Sequence, residues 1–275
     1  MNEKPSISLY VISDSAGDTA LKLAHASMAQ YPNTEFILYR RNFVREINAL
    51  KRILDEALEN NAMVIYTIVN EELSNFARDF GKEHDLFCFD IIGSVLDEMT
   101  LRVGEKPTRE LGAQHHLNEN YFKRIKAIEF AVEYDDGQDP KGFLKADVVL
   151  LGVSRTSKTP LSLYLAQKNL RVANLPIVPN AQIPDEIFKV DPKKIVGLTN
   201  SPEILNNIRA ERMRSYGLDP ETAYSNMENI QKELDFANEL YEKLGCVVIN
   251  VSKLSIEETA ALILDALHLE DKTFQ

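Results

Sequence analysis

The sequence predicts an α/β protein, an N-terminal parallel-sheet unit followed by a P-loop kinase-like α/β domain, on three observations. Short apolar runs alternate with segments of helical period along most of the 275 residues, the pattern of parallel strands joined by crossover helices. The alternation stops in a polar stretch, residues 101–117, which carries Gly104, Pro107 and Gly112, and restarts at Asp147. The first strand after the restart runs straight into a glycine-led turn and a helix, the sequence form of a phosphate-binding loop.

Taken in order, residues 7–13 read as a strand and 18–31 as a helix, 34–39 as a strand and 44–60 as a helix. A strong strand over 62–69 precedes a helix over 71–84, and 86–92 is a further strand. The stretch 101–117 reads as a linker. Asn118 is placed to cap a helix over 119–134, in which Phe122, Ile125, Ile128 and Val132 recur at helical spacing and predict one packed face. Asp135-Asp136-Gly137-Gln138-Asp139-Pro140 reads as a loop. Residues 148–151 form a buried strand and 158–168 a helix, where Pro160 is tolerated because first-turn N–H groups have no intrahelical partner. Strands over 172–175 and 195–198, helices over 203–214 and 222–244, a strand over 247–251 and a helix over 256–267 complete the chain. The division expected is an N-terminal α/β domain over 1–105, a linker and connecting helix over 106–145, and a nucleotide-binding domain over 146–275. The boundary lies between about 100 and 118, and no internal repeat is evident.

Hydrophobic residues make up 44% and charged residues 27%, enough apolar material for a core, which excludes a disordered chain. No apolar run approaches the roughly 18 residues of a membrane span. Met1-Asn2-Glu3-Lys4-Pro5 lacks the basic and apolar regions of a secretory signal. Cys88 and Cys246 sit among apolar neighbours without metal or redox spacing and read as buried reduced thiols of a cytoplasmic protein. A formal net charge of −11 argues against general nucleic-acid binding.

The segment that carries chemistry is Gly152-Val153-Ser154-Arg155-Thr156-Ser157-Lys158-Thr159. In a P-loop, successive backbone N–H groups curl around phosphate oxygens at a helix N-terminus. The lysine reaches the terminal phosphates, and the Ser/Thr hydroxyl can hold Mg²⁺. Gly152 opens the loop here, Lys158 is the lysine, expected to face solvent, and Thr159 is the metal-side hydroxyl. Ser157 stands where the usual pattern has glycine, and Arg155 adds a cation that either meets phosphate or faces solvent. The alternative is a polar strand-to-helix turn with a coincidental Ser-Lys-Thr. Asp14-Ser15-Ala16-Gly17 has the D-x-x-G form of a GTPase but precedes the loop, and no N-K-x-D segment follows.

Several long segments together resemble the pyruvate, phosphate dikinase regulatory protein family. They are the loop continued through Pro160-Leu161-Ser162, Ser13-Asp14-Ser15-Ala16-Gly17-Asp18-Thr19-Ala20, the 135–140 turn, Ala173-Asn174-Leu175-Pro176-Ile177-Val178-Pro179 and Ser255-Ile256-Glu257-Glu258-Thr259-Ala260. The resemblance spans nearly the whole chain, and the serine at 157 is usual in bacterial members. It implies a bifunctional regulator that phosphorylates a threonine of the dikinase with ADP as donor. The same protein removes that phosphate by transfer to inorganic phosphate, releasing pyrophosphate. A sister branch acts on phosphoenolpyruvate synthase, and a homodimer is compatible with either. From the residues alone, a small-metabolite P-loop kinase using ATP and a non-catalytic nucleotide sensor stay open as alternatives.

Other candidates carry two readings each. Asp135 and Asp136, just before the loop's strand, suit proton transfer from an attacking hydroxyl or a solvated acidic turn. Arg209 and Arg212, at i, i+3 on one helix with Arg214 nearby, suit a phosphate clamp or a solvated face paired with Glu211. Ser13, Ser15 and Thr19 surround Gly17 at a strand-to-helix turn and suit a second anion site or simple capping. His115-His116 lacks ligand spacing, and His25, His84 and His268 read as packing or surface residues.

Overall fold

The computed structural model describes residues 6–113, 119–179 and 181–269. The chain divides into two compact units, Met1–His116 and Leu117–Gln275. Among the described residues there are eight strands and ten α-helices. Asn118 and His115-His116 lie outside the described residues.

The first unit holds β1 (Ser6–Ser13), β2 (Glu35–Arg41), β3 (Met63–Thr67) and β4 (Cys88–Asp90) in the order β2-β1-β3-β4, all parallel. Helices α1 (Asp18–Met28), α2 (Ile47–Glu59) and α3 (Glu71–Glu83) make the crossovers, and α4 (Gly93–Val103) follows β4. The α4 helix corrects the linker reading, which covered its last turn. Its apolar residues give no clean stripe, and Met99, Leu101 and Val103 stay exposed, so helical period is poorly visible there. Helix α2 starts three residues later than expected: Phe43 is left-handed (φ 57°) and Glu46, still extended, is its N-cap.

The second unit repeats the same order, β6-β5-β7-β8, with β5 (Val148–Gly152), β6 (Val172–Pro176), β7 (Ile195–Thr199) and β8 (Val247–Asn250), again all parallel. All five residues of β5 are buried, as a central strand covered on both faces requires. Val149 and Leu151 point into one core with Tyr241 of α9 (Met227–Leu244). Val148 and Leu150 point into the other, with Leu161 of α7 (Lys158–Ala166) and Ile263 of α10 (Ile256–Ala266). Helix α8 (Pro202–Ser215) precedes α9, and the helix expected from residue 222 begins at Met227, after a single 3₁₀ turn at Ala223–Ser225.

Helix α5 (Glu119–Glu133) packs on α7 and β6 of the second unit. Its packing face differs from the expected one: Ala127 and Ala131 are buried against Ala166, while Phe122, Ile125 and Val132 are exposed. Alanines let two helix backbones approach closely, so the small residues set the contact; of the expected stripe Ile128 joins it, and Phe130 packs on the neighbouring core. A short helix, α6 (Lys141–Lys145), then leads into β5. Cys88 and Cys246 are free and only partly buried.

Candidate functional site

At the carboxyl end of β5 the chain turns through residues 153–157 into α7. Gly152 is required by contact: a Cβ there would lie 2.4 Å from Thr156 Oγ1 and 3.2 Å from the Leu198 carbonyl. The Gly152 carbonyl accepts from Ile177 N at 2.9 Å, which anchors the start of the turn to the end of β6. Inside it, the Val153 carbonyl accepts from Thr156 Oγ1 at 3.0 Å and from Lys158 Nζ at 3.1 Å. Arg155 and Ser157 adopt left-handed φ of 73° and 62°. The second value explains why glycine is usual at position 157, and each costs roughly 1–2 kcal/mol without it. No side chain caps α7. Its first-turn N–H groups and the positive end of its dipole are thus available to an anion.

Lys158 does not face solvent as expected; only 6% of it is exposed. Burial pushes its ammonium down to about 8, against the opposing pull of Asp136 and Asp135, while Arg209 and Arg155 push in the same direction as burial. Folding the ammonium under the loop gives it the Val153 carbonyl and the field of two carboxylates in place of water.

The two aspartates are held differently. Asp135 accepts from Thr159 Oγ1 at 2.9 Å and from Asn174 Nδ2 at 2.6 Å, so the structure joins the hydroxyl expected on the metal side to a carboxylate. Asp136 is exposed, in a left-handed conformation (φ 49°), its N–H donating to Asn174 Oδ1 at 3.2 Å. Asn174, fully buried in β6, also donates to Ser162 Oγ at 3.2 Å. It is the hub that ties the 135–136 turn to α7, and sequence reasoning did not single it out. The available signal was a polar amide in the middle of an apolar strand.

Arg209 and Arg212 are not brought together. Arg212 is exposed and pairs with Tyr216, and Arg214 pairs with Glu211. Arg209 is completely buried and points the other way, into the unit. Its guanidinium grips Glu233 through both nitrogens (3.1 and 2.6 Å) and donates to the Tyr224 carbonyl at 3.0 Å and the Ser154 carbonyl at 3.1 Å. An i, i+3 spacing puts two side chains on one face only approximately, and a partly buried carboxylate, Glu233, takes the one nearer the core. Tyr224 and Glu233 were also missed, since exposed-looking tyrosines and glutamates in helical segments carry no distinguishing pattern.

Ser13 is buried, and its Oγ is taken by Ser15 N at 3.1 Å and by Thr67 Oγ1 at 3.2 Å. Ser15 and Thr19 join it in lining a cavity of about 640 Å³ at the carboxyl ends of β1 and β3. In the second unit a cavity of about 190 Å³ adjoins the 153–157 turn, where Arg155 and Ser157 meet Asn200, Ile204, Ile208 and Leu254.

Fold and site define an α/β protein with a strand–turn–helix suited to phosphate, ringed by a lysine, two carboxylates and a threonine hydroxyl. The chain belongs to the kinase/pyrophosphorylase family, which matches residues 9–264. It is accordingly a phosphotransferase. A relative from Enterococcus faecalis, provisionally named pyruvate, phosphate dikinase regulatory protein 2, is 60% identical over 268 residues, 98% of this chain and 97% of the relative. Relatives from Ligilactobacillus salivarius and Lactobacillus gasseri, provisionally named as dikinase regulatory proteins, are 56% and 54% identical, covering 96% of this chain and 97% and 95% of their own. Among the described residues no helix is long and apolar enough to cross a membrane.

Proposed function

We propose that this chain regulates pyruvate, phosphate dikinase by two opposed phosphoryl transfers on one diphosphate cradle. In one, the oxygen of a client threonine attacks the β-phosphorus of ADP, the bond to the α-phosphate oxygen breaks, and AMP leaves. In the other, an oxygen of inorganic phosphate attacks the phosphothreonine phosphorus, and pyrophosphate and the free threonine leave. The observation that carries the reading is the convergence of Lys158, Asp135, Asp136 and Thr159 on the uncapped start of α7.

The loop amides, from Val153 to Thr159, bind phosphate oxygens, and Lys158 neutralises their charge. The cavity beside Arg155 offers Ile204, Ile208 and Leu254 to a nucleoside. Asp136, exposed and near Lys158, takes the threonine proton in the forward direction and returns it in the reverse. Thr159 Oγ and the Asp135 carboxylate, 2.9 Å apart, are the hard oxygen donors that Mg²⁺ prefers beside substrate phosphates. Bound there, the cation would offset phosphate charge. Pyrophosphate is two linked phosphates without the nucleoside, so a cradle built for ADP serves phosphorolysis without a second pocket.

The relatives' names favour the dikinase over phosphoenolpyruvate synthase as client, and a protein client over a small metabolite. A direct test incubates the protein with each purified enzyme, first with ADP and then with inorganic phosphate, following threonine phosphorylation and pyrophosphate release. Transfer from ATP to a metabolite, or nucleotide binding without turnover on either client, refutes the proposal. Full phosphorolysis in Lys158→Ala, uninhibited by ADP, would require two sites.

A further inference from the structure

We infer that Arg209 and Tyr224 are positioning residues that hold the outer turn of the cradle in its phosphate-binding shape; the inference rests on the cradle reading above. Both act on Ser154, the third residue of the loop. The Ser154 carbonyl accepts from Arg209 Nη2 at 3.1 Å, and the Ser154 hydroxyl lies 2.8 Å from Tyr224 OH. The same tyrosine oxygen accepts from Arg155 Nε at 3.3 Å. Two consecutive loop residues are therefore fastened to one side chain contributed by the segment between α8 and α9.

The consequence follows from the planarity of the peptide. In a trans peptide the C=O of one residue and the N–H of the next point in opposite directions. A Ser154 carbonyl drawn toward Arg209 turns the Arg155 N–H away from Arg209. Arg155 stands at φ 73°, a conformation that few side chains adopt unaided, so the turn needs an external hold. Arg209 is fit to supply it because it cannot move: it is buried, forked onto Glu233 through both nitrogens, and stacked on the Tyr224 ring with 4.6 Å from its guanidinium carbon to the ring centre. A planar guanidinium makes all of these contacts at once, and a lysine ammonium does not.

The test uses the full-length protein and measures ADP affinity by calorimetry, kcat and KM for ADP-dependent phosphorylation of the purified dikinase, and the thermal midpoint. Tyr224→Phe keeps the ring under Arg209 and removes only the hydroxyl. It should raise KM and Kd for ADP by roughly five- to a hundredfold, the worth of the two hydrogen bonds that end on that hydroxyl, with the midpoint lowered by only a few degrees. Ser154→Ala removes only the bond it shares with Tyr224, so it should weaken binding less, and the double variant should be no worse than Tyr224→Phe alone. Arg209→Lys should weaken ADP binding further, and Arg212→Ala, on the exposed face of the same helix, should leave it at the wild-type value. Wild-type ADP parameters in Tyr224→Phe, or additive losses in the double variant, overturn the inference even if Arg209→Lys does not fold. A wild-type protein that binds no ADP would instead overturn the cradle reading, and that measurement comes first.

Discussion

Lys158 offers the sharpest quantitative test of the site. In the free protein its ammonium titrates at about 8 instead of the ordinary 10.5, chiefly because it is buried. That gap corresponds to about 3 kcal/mol held against the charged form. A diphosphate in the cradle supplies the charge that burial removed and returns the lysine toward its ordinary value. ADP's phosphates are already ionised above pH 7, since the terminal group titrates near 6. Between pH 8 and 10.5 the free protein has lost a proton that the complex keeps, so binding must take one up. ADP affinity should hold steady to about pH 8 and then fall toward tenfold per pH unit, reaching roughly 300-fold in all. The stability sign is opposite to the usual lysine case. The cost is fully present below about pH 8 and vanishes as pH rises through 10.5, so Lys158→Met should stabilise the protein at pH 7 by up to about 3 kcal/mol. Calorimetry in two buffers of different ionisation heat, from pH 7 to 10, reads the affinity and the proton uptake together. A flat affinity with no uptake at pH 9 refutes the reasoning.

The remaining predictions concern the carboxylates and the turn. Asp136→Asn should lower kcat by roughly 10²–10⁴-fold with ADP affinity little changed, and unaltered turnover at saturating ADP would make this turn purely structural. Asp135→Asn should raise the Mg²⁺ concentration needed for half-maximal activity, measured by titration at fixed ADP; an unchanged metal requirement removes Asp135 from the cation. Gly152→Ala drives a methyl group to 2.4 Å from Thr156 Oγ1 and should cost about 1–3 kcal/mol in denaturant unfolding while abolishing ADP binding; retention of both properties would mean the turn relaxes freely.

Much of the fold was legible because parallel strands buried on both faces announce themselves as apolar runs, as Val148-Val149-Leu150-Leu151 does. The strand–turn–helix at 152–158 was legible for a related reason, since it is local in sequence. What sequence concealed depends on contacts between distant segments. Asn174 reaches Asp135 across 39 residues, and Arg209 reaches Ser154 across 55, and neither pairing leaves a spacing to find. The burial of Lys158 was hidden for the same reason, because it depends on the elements that close over the loop. Helices α4 and α5 misled through composition: periodicity marks where apolar residues lie, but alanine contacts, not the larger side chains, decided which face of α5 packs.

The two sheets share one strand order, and a comparison of their first turns supports the proposal that the transfer chemistry falls to the second unit. Each turn follows the central strand, β1 or β5. Each enters its helix through a left-handed residue, Gly17 at φ 77° and Ser157 at φ 62°, and neither helix has a side-chain cap. The next two residues are Asp18-Thr19 in one case and Lys158-Thr159 in the other. The entry into the helix is alike, although the second turn is one residue longer and has a further left-handed residue in Arg155, while the charge at the helix start is reversed. Asp18 is exposed and tied to Arg40 at 3.1 Å, whereas Lys158 is buried, where a charge acts through a lower dielectric. Asp14, buried in the first turn, uses its carboxylate on Val69 N and Asn70 N at 2.7 and 3.1 Å, placing a further negative group beside any anion. The second turn instead has Arg155 within it and Arg209 behind it. Both turns carry charges of each sign around them, Arg40 and Arg45 at the first and Asp135 and Asp136 at the second, so the residue at the helix start makes the difference. A helix that starts on a buried lysine, where the other starts on an exposed aspartate, is the feature that favours the second turn for the proposed phosphoryl donor.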